Sequence, residues 1–361
     1  MTVPAPVDPG DPADAADSRG PSWSAGELTP HDAPDIRRLF ETVFGAPMSE
    51  ALWRWKYEDA RGCASGVRAG DGALVAHYGG TRRTLCLEGQ AIDAVQMGDV
   101  MVRPDARGVL SRNGPFARAT RHFIDARIDR AGGFEVGFGF PGARHARLGE
   151  RLNLYRALGE MRELRWTANE RRSALHWRWQ LAPLPNARPD RADAQAAHID
   201  TCWRRMRQAL PGWVVPERDA AWTRHRYGQH PHHRYHLHWL QCRITRRRVG
   251  LAALRSHGEG GEQPVWEWLD WVGPPAYLPA ALASIRAAAA RARALAVYGW
   301  FSAPLIAAFL HPPAGSLRGA SAPADDSLVC NWCVTVARAA TVPAAFDSTP
   351  WWLMGGDTDF R

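Results

Sequence analysis

The feature that most constrains the fold is an internal echo. His225-Arg226-Tyr227 stands where Trp55-Lys56-Tyr57 stood, Val249–Leu254 resembles Leu74–Gly79, and Trp266-Glu267-Trp268-Leu269-Asp270-Trp271-Val272-Gly273-Pro274 echoes Gln96-Met97-Gly98-Asp99-Val100-Met101-Val102-Arg103-Pro104, the matched pairs lying near 170 residues apart. A period that long copies a whole domain, whereas stacked repeat units recur every roughly 20–50 residues. A chain of 361 residues also exceeds one comfortable core. The expected organisation is a disordered Pro/Ala/Asp-rich arm at 1–22, a first domain at 23–168, a linker or crossing segment at 169–198, and a second domain at 199–361.

Within the first copy, Ile36, Leu39, Phe40 and Val43 fall at helical spacing and Gly45 stops the helix. Ala73 to Tyr78 reads as a strand that Gly79-Gly80 closes ahead of a hairpin, Arg83 to Leu87 as a second strand, and Ala94 to Val102 as a third, ended by Pro104. Gly114-Pro115 opens another helix, because proline at the first helical position loses no hydrogen bond, and Phe116, Ala119, Phe123 and Ile124 make its buried stripe. Phe134, Val136, Phe138 and Phe140 alternate as a half-buried strand does, a short helix follows around Arg144 to Leu152, and a last strand runs from Tyr155 to Trp166. The predicted class is α/β (α+β): two tandem domains, each a mixed, mostly antiparallel twisted sheet flanked by helices.

Composition narrows the partners. No apolar run approaches the roughly 20 residues a bilayer crossing needs, so no membrane role and a cytoplasmic setting are expected. Six dispersed cysteines cannot staple a chain this long. The net charge of +8 comes almost wholly from arginine, Lys56 being the single lysine, and suits anionic ligands. The arginines are spread along the chain without a basic tail, which argues against nucleic acid.

The chemistry concentrates between Val100 and Ile128. Val100-Met101-Val102-Arg103-Pro104-Asp105-Ala106-Arg107-Gly108 resembles the acetyl-CoA motif of GNAT-superfamily N-acetyltransferases, in which a strand ending in V-x-P leads through an R-G loop into a helix. The resemblance implies acetyl-CoA as acyl donor. It implies that Val100, Met101 and Val102 offer an unpaired strand edge to the pantetheine arm, and that Arg107, Gly108, Val109, Leu110, Arg112, Gly114 and Pro115 form the phosphate loop and helix start. Free amides at a helix N-terminus favour a pyrophosphate on general grounds. The loop departs from the family's Q/R-x-x-G-x-G/A pattern, with Leu110 and Arg112 where small residues belong.

For the proton transfers, Asp99 is the first candidate base. The family's usual acid is a tyrosine four residues ahead of the glycine in an L-G-F-like ending. Leu152-Asn153-Leu154 matches that ending and puts Gly149 at the tyrosine position; a competing register makes Tyr155 the acid. The implied function is N-acetyl transfer to a primary amine, on a small molecule or peptide, by direct attack in a ternary complex. The alternative is a non-catalytic acyl-CoA binder or scaffold.

Other signals are discounted. Cys330-Asn331-Trp332-Cys333 lies in a strand-like run where residues three apart face opposite ways. His230, His232, His233, His236 and His238 read as a hydrated turn, so no metal site is expected. The second copy goes from Gly273-Pro274-Pro275 nearly straight into helix and lacks the R-G loop, which predicts a degenerate half without cofactor.

Overall fold

Alternating burial and helical stripes resolve into strands and helices arranged on one continuous sheet. The computed structural model describes residues 22–107, 113–128, 133–168, 177–184, 189–258, 263–310, 321–335 and 345–358. In chain order the first half contains β1 (Trp23–Leu28), α1 (Ala33–Phe44), α2 (Glu50–Tyr57), β2 (Gly62–Ala69), β3 (Leu74–Leu87), β4 (Gln90–Val102), α3 (Pro115–Arg127), β5 (Val136–Gly139), α4 (Ala143–Arg151) and β6 (Tyr155–Thr167). The second half contains β7 (Trp179–Pro183), α5 (Pro189–Gln208), β8 (Val215–Pro216), β9 (His236–Cys242), β10 (Arg248–His257), β11 (Val265–Val272), α6 (Leu278–Arg291), β12 (Ala296–Ser302), α7 (Ala303–Leu310) and β13 (Asp325–Thr335).

The sheet runs β1-β2-β3-β4-β5-β13-β6-β12-β11-β10-β9-β7, with β8 attached to β3. Read from either end the order is the same in kind, and its two parallel contacts, β4 with β5 and β11 with β12, sit at matching places. Each half sends its last strand across the centre: β6 pairs with β12, and β13 pairs with β5. The echo in the sequence is therefore a two-fold relation in space. Tyr57 donates to Asp99 at 2.8 Å and Tyr227 donates to Asp270 at 3.0 Å. Trp55 and His225, equivalent in the two copies, stack at 4.9 Å where the halves meet.

Three readings of the sequence need correction. The strands β1 and β2 were not foreseen; β2 is Gly/Ala/Ser-rich, with Val67 its single branched residue, and does not advertise a strand. Gly79 and Gly80 lie inside the long β3, and the turn comes at Glu88-Gly89, both with positive φ. These glycines serve close packing, since a Cβ on Gly79 would fall 2.3 Å from the Tyr57 hydroxyl oxygen and one on Gly80 2.5 Å from Val95. Gly79→Ala is expected to destabilise the fold by about 1–3 kcal/mol, an overpacking cost, measurable by urea unfolding. Finally, the Pro/Ala/Asp/Arg stretch that suggested a connecting segment forms β7 at the far sheet edge and the long α5.

The apolar cores follow from the stripes. On one face α3 lays Phe116, Phe123 and Ile124 against Tyr78, Val95 and Met97. The second half is filled by tryptophan, with Trp239, Trp268, Trp271 and Trp352 each fully buried. Rings of this size bury about 150–250 Å² each and dominate such a core. No helix among the described residues is long and apolar enough to cross a membrane.

Candidate active site

The site arises where β4 loses its neighbour. Parallel pairing with β5 runs from Ala94↔Val136 to Met97↔Gly139 and stops, because β5 ends and Pro141-Gly142 turn the chain into α4. On its other side β4 stays bonded to β3 as far as Ala76↔Val102. Gly98 to Val102 therefore border open space on one side. The divergence is sharpened at Asp99, whose φ of 49° lies in the left-handed region and coincides with a register shift in the β3–β4 ladder. A non-glycine residue held there is a bulge that re-aims the strand.

A cavity of about 500 Å³ fills the wedge, bounded by Met97 to Val100, Gly139 to Gly142, Phe40 and Phe44, and His230, His232 and His233 from the second half. A second cavity of about 310 Å³ continues from it, sharing Val100, Phe44 and His145, and reaches Val102, Arg107, Pro115, Phe116, Ala117 and Arg144. Its far wall is the start of α3. Gly114 is the N-cap, and among the described residues no side chain caps that end. Phe116 and Ala117 thus bring backbone N–H groups and the positive end of the helix dipole to the cavity. Arg107 and Arg144 flank the same wall, Arg107 donating from Nε to the Val102 carbonyl at 2.9 Å. These features fit a phosphate-bearing thioester. Gly108, Val109, Leu110 and Arg112 lie outside the described residues.

Asp99 borders the wedge, and its carboxylate is held on both oxygens: Lys56 donates at 2.7 Å and Tyr57 at 2.8 Å. The His77 Nδ1–H donates to its carbonyl at 2.7 Å. Burial raises the Asp99 carboxyl, and the Lys56 ammonium together with His77 and the Tyr57 hydroxyl outweighs it and holds the group below the usual carboxylate range. Asp99 is therefore a fixed negative charge. His77 is driven the other way by burial and stays neutral.

Tyr155 sits on the wedge floor, but its hydroxyl is directed into the core. It donates to the Tyr78 hydroxyl at 2.9 Å, and Tyr78 donates to the Met97 sulfur at 2.7 Å. Burial pushes both phenols far up. The expectation that Tyr155 delivers a proton to the departing thiolate is therefore corrected: the hydroxyl is spent on a closed chain of buried partners. A Cβ on Gly149 would lie 1.9 Å from the Tyr155 ring, so the ring occupies the space beside the position that the motif register had assigned to a tyrosine.

Sequence reasoning missed two contributors. Lys56 is buried at 6% exposure, and the signal for it was its solitude among arginines. A lysine offers a compact ammonium that a guanidinium cannot imitate. The histidine turn was read as solvent-facing, yet three of its rings border the wedge. His230 accepts N–H bonds from His232 and His233 at its Nδ1, and burial brings it down to about 3, so it remains neutral. Burial likewise takes His145 down to about 4. Cys333 joins the wedge floor with its thiol pushed far up by burial, while Cys330 packs into a different core, as their spacing on a strand required.

Among the described residues the second half has no such opening. Beyond Glu267↔Tyr298, β11 and β12 part as β4 and β5 do, but the chain's own segment Trp351 to Thr358 lies in the gap. Met354 bridges to Phe301, the Ser302 amide donates to the Leu353 carbonyl at 3.0 Å, and Gly356 abuts Leu269, Asp270 and Tyr227.

Residues 25–126 match the acetyltransferase (GNAT) domain family. No curated protein matches the sequence. Among solved structures, a conserved protein from Enterococcus faecalis described as a probable N-acyltransferase is similar with TM-score 0.63 and 11% identity, over 88% of this chain and 73% of that one. A GCN5-related N-acetyltransferase from Kribbella flavida is similar with TM-score 0.58 and 17% identity, over 87% and 71%. Another from Anabaena variabilis gives TM-score 0.58 and 12% identity over 87% and 72%. At such identities the structures establish a common fold, and the sequence match to the GNAT acetyltransferase domain spans the residues that build β4 and the start of α3.

Proposed function

We propose that the protein transfers an acyl group, acetyl being the simplest, from an acyl-CoA thioester to a primary amine by direct attack. The observation that carries this is the parting of β4 from β5 after Met97 and Gly139, which leaves Gly98 to Val102 beside a cavity leading to an uncapped helix start. An unpaired strand edge accepts an extended ligand by hydrogen bonding. The pantetheine arm is placed along it, the phosphates at α3 with Arg107 and Arg144, and the thioester near Val100. A backbone N–H of this edge meets the thioester oxygen as negative charge grows there.

Asp99 is placed beside the incoming nitrogen. Held as a carboxylate by Lys56, it is a weak base, and effective proton transfer needs a pKa near the working pH. Its role in this reading is to anchor the ammonium; the nitrogen loses one proton to water, attacks the carbonyl carbon, and gives up a second proton to water as the tetrahedral intermediate expels CoA as thiolate and the neutral amide forms. A thiolate is a tolerable leaving group near neutrality, because an ordinary thiol titrates at about 8.5. The domain division at about residue 168 is proposed on the same footing, with β6 and β13 exchanged between the halves.

Calorimetry with acetyl-CoA followed by a thiol-release assay against a panel of amines tests the reading. The expected result is one bound equivalent and amine-dependent thiol release. Binding without release from any amine would instead favour the non-catalytic acyl-CoA binder, a reading supported by the inward turn of the Tyr155 hydroxyl. Absence of binding refutes both.

A further inference from the structure

A third cavity, of about 570 Å³, lies on the opposite face of β4 and is walled by both halves. Strand alternation separates it from the wedge: Met97 borders the one and Gln96 the other. Lys56 borders both, so the space beyond it is one side chain away from Asp99.

The wall of this cavity is rich in cations. Lys56, Arg61, Arg82, Arg83 and Arg226 face Asp59, Glu217 and Asp357. Asp59 is engaged by Arg61 at 2.9 Å, and Asp357 is shared between Arg83 and Arg218. Glu217 is half-buried, with its carboxyl raised by burial and by neighbouring Asp219. Arg83 is buried, like Lys56 and Arg226. Its Nη1 donates to Gln96 at 3.0 Å and its Nη2 to Asp357 at 3.2 Å, while its plane rests 4.8 Å from the Trp222 ring. Its Nε–H is buried and has no partner among the described residues. Desolvation weakens this guanidinium's hold on its proton, and the charge of Arg218 adds to that. With Arg83 stacked on Trp222 in its wall and the more exposed Arg61 and Arg82 at its rim, the cavity offers guanidinium forks suited to an acceptor oxygen.

We infer that this cavity seats an anionic group of the acceptor, a carboxylate or a phosphate, while the acceptor's amine reaches past Lys56 to Asp99. The acceptor class is then an amino acid or a phosphoamine, and simple hydrocarbon amines and polyamines are poor substrates. The inference rests on the acyl-transfer reading for the position of the amine, but the anion site itself is independent of turnover.

Matched pairs test it: phenylalanine against phenethylamine, and phosphoethanolamine against ethanolamine. Each pair is measured on acetyl-CoA-loaded wild-type protein by thiol release and, separately, by calorimetry. The expected result is a preference of at least tenfold for the anionic member of one pair, the responding pair telling carboxylate from phosphate. Arg83→Gln should collapse that preference, and Arg61→Gln, at the exposed rim, should reduce it if Arg83→Gln does not fold. Equal use or equal binding of both members, or binding of neither, overturns the inference. If acetyl-CoA itself fails to bind, the acyl-transfer reading falls, and calorimetry of the same pairs on the protein alone still decides the anion site.

Discussion

Val100→Trp is expected to weaken acyl-CoA binding by at least tenfold while leaving the fold in place. Val100 is half-buried at the junction of the wedge and the cavity that leads to α3, so an indole there would obstruct the path a pantetheine arm must take. Tenfold corresponds to about 1.4 kcal/mol. The stability cost should remain under about 1 kcal/mol, in the range of surface-like substitutions, because the larger side chain enters open space and displaces no core residue. Calorimetry with acetyl-CoA reads the first quantity and urea unfolding the second. Undiminished affinity would mean that the ligand takes another route.

The largest stability effect is predicted far from the wedge. Asp357 is 1% exposed and accepts from both Arg83 and Arg218; Arg218 in turn donates to Asp270 at 2.8 Å, and Tyr227 closes the network on Asp270. Asp357→Ala takes the carboxylate from the buried Arg83 and leaves Arg218 with Asp270 alone, and it also removes the acceptor of the Met354 amide. Breaking one partner out of a buried ion network costs about 3–5 kcal/mol, because the remaining charge stays desolvated. The exposed pair Arg61–Asp59 supplies the contrast: Asp59→Ala should change stability by under about 1 kcal/mol, as exposed pairs do. Urea unfolding of the two variants side by side tests this, and equal effects would contradict it. Asp357 also belongs to the segment lying between β11 and β12, so its loss should loosen the contact that keeps the second half closed.

How much of this was legible in the sequence differs by element. The echo near 170 residues predicted two related halves, and the Tyr57–Asp99 and Tyr227–Asp270 pairs realise it. The helix from Pro115 and the strand ending at Val102 could be read because proline, glycine and alternating apolar residues each carry a local physical rule. Gly79-Gly80 misled because the same residue that permits a turn also permits close approach, and only the neighbour, Tyr57, decides between them. The exchange of β6 and β13 left no local trace, since a strand's composition does not say which partner it will meet. Asp99 was singled out by position as a base, whereas its state as a fixed anion depends on Lys56, which is distant in sequence and arrives through α2. Tyr155 was ambiguous for a related reason: a one-dimensional register cannot tell a hydroxyl facing a cleft from one facing Tyr78. The histidine turn escaped because its counterpart in the first half is ordinary sequence, and its closeness to the wedge comes only from the packing of one half on the other.

The central claim is that the open margin of β4 receives the acyl donor and the matching gap in the second half does not. Amide hydrogen exchange with and without saturating acetyl-CoA measures this directly. Binding should slow exchange across 98–102 and at the start of α3, and leave 266–272 unchanged. Unaltered exchange at 98–102, or protection appearing between β11 and β12 instead, would contradict it.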